Sequence, residues 1–299
     1  KALSTAQVAA LTTDQVVALE TNQVAALSTD QVAALTTDQV SAMEVADLKS
    51  LSTAQVRALS TQQLTALSTD QVAALETNQV AALSTAQVAK LTTDQVVALS
   101  AGQVRGLTTA QVAALTNGQI SAMETGDLAV LSATQAKALS TAQVAALTTD
   151  QVVALQTNQV AALSTDQVAA LTTDQVAAME VADLKSLSTA QVRALSTDQM
   201  MALSTGQVAA LNTNQVAALT TDQVAGLSTD QVVALSTSQV GALTTAQVAA
   251  ITTDQVSALE TRDLAVLSAT QAKALSTAQM ASLTTDQIVA LQTNQVAAL

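Results

Sequence analysis

The chain has 299 residues, 49% of them apolar, and contains no Cys, His, Pro, Phe, Tyr or Trp; ten Lys and Arg face 23 Asp and Glu, a net charge of −13. The usual transition-metal ligands, the thiol nucleophile, the imidazole acid–base group and every aromatic stacking platform are therefore missing, and disulfide staples are impossible. The acidic balance argues against nucleic acid and anionic membrane as partners.

The chain opens on Lys1-Ala2-Leu3 and from Ser4 onward divides into 37 consecutive octads, with no insertion or deletion, closing on Leu299. One octad is Ser28-Thr29-Asp30-Gln31-Val32-Ala33-Ala34-Leu35, with positions labelled a to h. Position a is Ser or Thr in 28 of the 37 and d is Gln in 33. Position e is Val in 26, and h is Leu in 33. A register kept without a slip places every octad in an equivalent environment. No apolar run exceeds four residues, whereas a spanning helix needs about 20, so no membrane insertion is expected. No charged-then-apolar leader begins the chain, and both ends fall in phase with the repeat. The expectation is a single continuous array over residues 1–299, cut from a longer one.

A second period overlies the first. Residues Glu44 to Leu51 recur unchanged as Glu180 to Leu187, and Ser132 to Leu139 recur as Ser268 to Leu275. Both offsets are 136 residues, or 17 octads, so a long block has been duplicated.

Three folds compete for an eight-residue period. In one unbroken helix the Val/Leu stripe would rotate by about 80° per octad and never hold a face toward a partner. A β-solenoid needs corner residues and alternating apolar positions, but only seven Gly occur and the apolar residues cluster as Val-Ala-Ala-Leu. The third is a series of very short helices. Ser or Thr at a with Gln three residues later is the capping-box pattern, in which the hydroxyl accepts from the N–H at d and the Gln side chain accepts from the N–H at a. Asp at c, present in 13 octads, lies in the first turn, where the helix dipole favours negative charge. Val at e and Leu at h point to one side, and a new cap follows each Leu. The expected fold is all-α, a solenoid of very short helices, one per octad, with about three to four octads per superhelical turn. Position f, which accepts Lys49, Arg57, Thr65 and Val17 alike, should face solvent, and small residues at g should allow close backbone approach.

Four octads break the pattern, with Asp47, Asp127, Asp183 and Asp263 in place of Gln and Leu at e. Ten residues beyond each Asp stands a base at f: Arg57, Lys137, Arg193 and Lys273. The expected role of these pairs is an ion pair between successive helices, with a recurring binding face as the competing role. Asp at c does not reach the six to eight oxygens that calcium requires, and Thr at a and b already serves as a cap rather than as an ice-binding row. The six Met lie at e, h and once at f (Met201), and serve as core filler. No catalytic constellation, metal site or cofactor site is expected, so the chain is not expected to be an enzyme.

The run Leu-Ser/Thr-Thr-x-Gln-Val-x-Ala resembles octapeptide arrays of very large bacterial secreted or cell-surface proteins, some of them adhesin-like. The likeness extends from Ser4 to Leu299 and implies an extracellular or cell-surface setting and a stalk or fibre role, with no catalytic residues to carry over. The expected function is structural: a stiff elongated solenoid forming a stalk or filament and associating end to end through exposed Val and Leu. The alternative is a binding scaffold, or adhesin segment, presenting a repetitive face to protein or glycan partners. Surfaces without aromatic anchors favour the first.

Overall fold

The computed structural model describes residues 3–299. They form 37 short α-helices and no strand. The first runs Thr5–Ala9, the second Thr13–Val17, and each later one begins eight residues after its predecessor, up to Thr293–Val296. The described residues up to 155 form one compact unit and 156–299 another, and the same local construction recurs in both.

The octad Ser28 to Leu35 shows how each helix starts and stops. Ser28 is extended at φ −73°, ψ 163°. Its Oγ accepts from the Gln31 N–H at 3.2 Å, while its own N–H donates to Gln31 Oε1 at 2.6 Å. Two of the backbone donors that a helix start leaves without partners are thereby satisfied. The helix α4 (Thr29–Ala34) then lasts six residues. Leu35 ends it by turning extended at φ −60°, ψ 143°, its N–H donating to the Val32 carbonyl three residues back at 3.3 Å. Two extended residues in succession, h and then a, redirect the chain between helices. No left-handed residue and no cis peptide takes part among the described residues, so the corner needs neither Gly nor Pro.

Where a is not a hydroxyl residue, the box adapts. Asn212 Oδ1 accepts from the Gln215 N–H at 3.0 Å. At Glu20 and Glu76 the Gln side chain still accepts from the cap N–H, at 2.8 and 2.7 Å, while the Gln N–H turns to the cap carbonyl instead.

Helical geometry sets the inner face. Positions e and h are three residues apart and d and h four, so all three project to one side. From residue 32 to residue 275, e is 0–2% exposed and h 3–8%. The apolar spine expected from Val and Leu is present. Position f is solvent-facing at Lys49, Arg57, Thr65 and Val17, also as expected.

Helices this short cannot stand alone, because nucleation costs more than one turn returns. Within each unit a helix packs on the third helix after it. In the first unit α1 (Thr5–Ala9) lies on α4, and α4 on α7 (Thr53–Ala58); in the second, α22 (Thr173–Ala178) lies on α25 (Thr197–Ala202). Small residues at g make this approach close. A Cβ on Gly106 would collide with Thr77 Cγ2 three octads earlier, and one on Gly226 would lie 3.6 Å from Thr197 Cβ.

Candidate functional site

The described residues hold no group of three or more Asp or Glu placed to bind a metal ion, and no helix among them is long and apolar enough to cross a membrane. An apolar hollow of about 340 Å³ opens beside the first octads between Val8, Leu11, Leu19, Leu27 and Leu35. These are the e and h residues of the spine itself. The feature that sets octads apart is the side chain at d.

From Gln31 onward, Gln at d is a core residue. Gln39, Gln63, Gln103 and Gln111 are each 2% exposed. Its Oε1 is committed to the cap, and its Nε2 reaches back to main-chain carbonyls of the octad four before. Gln39 Nε2 donates to Leu11 O at 2.6 Å, Val8 O at 3.0 Å and Ala9 O at 3.3 Å. The same set recurs from Gln63 to Val32 and Leu35, and from Gln111 to Val80, Ala81 and Leu83. In the second unit it recurs from Gln247 to Val216 and Leu219. One amide thus starts its own helix and ties the C-terminal end of another. The capping-box pattern accounts for Gln through Oε1 alone and does not reveal this second bond. A signal was available: a capping box accepts Glu as readily as Gln, yet no octad has Glu at d, as expected if that position must also donate.

The four Asp octads lack this donor. The carboxyls are nonetheless buried: Asp47 and Asp183 are 2% exposed, Asp127 8% and Asp263 0%. Their caps are Glu44, Glu124, Glu180 and Glu260, none of which makes a side-chain cap bond. Thr237, at b three octads earlier, donates to Asp263 Oδ1 at 2.8 Å, while Asp263 Oδ2 is buried with no partner. Thr157 holds the corresponding place before Asp183. At Asp127 the corresponding residue is Ala101, which has no hydroxyl to give. Burial pushes the Asp127 carboxyl above the ordinary value, and Glu124 adds to the shift. Burial raises Asp183 too, with the Thr157 hydrogen bond opposing and Glu180 reinforcing.

The expected ion pairs to the base ten residues on are not formed at Asp47–Arg57, Asp183–Arg193 or Asp263–Lys273 among the described residues. Position d points into the core and f points to solvent, so the two side chains diverge. Among the described residues a charge contact forms instead at Arg262, whose Nε lies 2.6 Å from the part-exposed Glu260 Oε2 and 4.0 Å from the buried Asp263 Oδ1.

A family model described as the ALTTAQ repeat matches the chain in twelve overlapping segments, from 1–21, 17–44 and 40–77 through to 256–293 and 273–299. The six letters stand unaltered at Ala242-Leu243-Thr244-Thr245-Ala246-Gln247. They span the junction between two octads: the end of one helix, the extended pair, and the capping box of the next. A search of curated proteins gives no match to the chain.

Proposed function

The chain belongs to the ALTTAQ repeat family, and we propose that it is a structural protein: a stiff, elongated coil of short helices serving as an extracellular stalk or filament body. The coil would have between three and four octads per turn. Support for that pitch comes from the two neighbour relations, since helices pack at a separation of three while the Gln amide bonds at a separation of four. A step lying between those values brings both into reach.

The observation that carries the structural reading is the repetition of one interior bond set, Gln amide to e and h carbonyls, in octad after octad. Such an array gains stability from each added neighbour and offers the same surface throughout. A spacer needs that uniformity, whereas a binding or catalytic protein needs a place where it fails for the sake of a ligand. The proposed partner is another length of the same array, because an octad without its cover would present Val and Leu to water. The proposed setting, outside the cell, rests on the likeness to surface arrays.

Small-angle scattering on the 299-residue chain tests the shape. A compact chain of this length has a radius of gyration of about 19 Å and an unfolded one about 61 Å; an elongated coil should fall between the two while retaining full helical signal. A value near 19 Å would overturn the proposal. Electron microscopy of the native material tests the role: fibres or long stalks are expected, and compact particles would contradict it.

A further inference from the structure

We propose that the four Asp octads are joints built into the array, places where it opens locally ahead of the Gln octads around them. This does not depend on the stalk role, since it concerns only which octads are held least firmly.

An Asp at d cannot do what Gln does. A Gln there closes two gaps, capping its own helix through Oε1 and tying the octad four before through Nε2. A carboxylate has no N–H to donate. The carbonyls of Leu19, Leu99 and Leu235 correspond to those that accept Gln Nε2 elsewhere, and among the described residues no side chain donates to them. The Asp is still buried, so its oxygens lose water without full compensation, most plainly at Asp263 Oδ2. The cap is weakened as well: Ser or Thr gives way to Glu, and the N–H at d bonds the cap carbonyl at 3.0 Å in the Asp127 octad.

The sequence marks the partner octad too. Val occupies f in 12–19, 92–99, 148–155, 228–235 and 284–291 and in no other octad. The first four of these stand four octads before the Asp octads, one for each. The 136-residue duplication makes two of those four placements copies of the other two; the offset is the same in both independent cases. It equals the separation at which a Gln amide bonds. The substitution at d and the β-branched residue beside the abandoned carbonyls therefore travel together as one unit. β-Branched side chains lower helix propensity, so both halves of the pair loosen the same contact.

Hydrogen exchange of the full 299-residue chain, followed by mass spectrometry, tests this directly. Amides in 92–99 and 124–131 are expected to exchange roughly tenfold to a hundredfold faster than those in 84–91 and 116–123. The variant D127Q, and separately the pair D127Q/V97A that restores the common octad on both sides, should bring that exchange down to the level of the flanking octads. The converse variant Q143D should raise exchange in 108–115 and 140–147. Equal protection of Asp and Gln octads in the unaltered chain, or a Q143D chain with unchanged exchange, would overturn the proposal.

Discussion

Octads 116–123 and 124–131 are neighbours in the chain and share a helix start, an apolar e and an apolar h, yet they are held differently. In the first, Gln119 bonds its own cap at 2.7 Å and reaches back to Val88 O at 3.0 Å and Leu91 O at 2.7 Å. In the second, Asp127 occupies the same buried place, has no donor to reach with, and follows a Glu cap without a side-chain bond. Apolar burial is nearly the same in both, with Ile120 and Leu128 each 0% exposed. The lesson is that burial makes the spine, while the amide at d decides how firmly one octad is fastened to another.

The largest break in that comparison would come from turning a Gln octad into its opposite. Gln111→Glu keeps the cap acceptor, removes the donors to Val80 and Leu83, and strands a charge in the core. It should cost about 2–4 kcal/mol, read as a loss of thermal stability and faster amide exchange in 76–83. A Glu tolerated without loss would show that the donor is dispensable. Capping is the next effect. Thr108→Ala removes the Oγ1 that accepts from the Gln111 N–H at 3.2 Å and should cost about 1 kcal/mol, whereas Glu124→Ser should gain up to about that much. Denaturant titration of both variants separates cap from core.

Acidity sharpens the comparison further. Burial raises the Asp127 and Asp183 carboxyls, so the folded chain holds those protons more tightly than the unfolded chain. Their penalty is present in full above the raised value and is relieved as pH falls from there toward the ordinary 3.8. The stability advantage of D127Q over the unaltered chain is therefore expected to be constant near neutrality and to shrink on acidification, followed by thermal melts across pH. An advantage that grows as pH falls would contradict the sign. The smallest effect belongs to the bases at f. Arg57 is exposed and makes no ion pair with Asp47, so Arg57→Ala should change stability by less than about 0.5 kcal/mol in the same melts.

Much of this is legible in the amino-acid sequence alone. Ser28 and Gln31 spell a capping box, Val32 and Leu35 share a helical face, and the recurrence of that set every eight residues dictates one helix per octad. The inward place of Gln was less visible, because the local bond to the cap N–H already accounts for its presence. Only the lack of Glu at d pointed to a donor, and the carbonyls it serves lie 28 to 31 residues away. The Asp–base coincidence misled for a related reason. Sequence spacing set Asp47 and Arg57 one octad apart, but d and f lie on opposite sides of a short helix, one in the core and the other in water.

The adjacent pair Gln62 and Gln63 gives the most direct test. Gln62, at c, is exposed, while Gln63, at d, is 2% exposed and donates to Val32 and Leu35 carbonyls. Side-chain amide exchange measured by NMR should show Gln63 Nε2 hydrogens protected by orders of magnitude and Gln62 exchanging at the rate of free amide. Two side chains exchanging alike would mean that the interior amide ties do not exist.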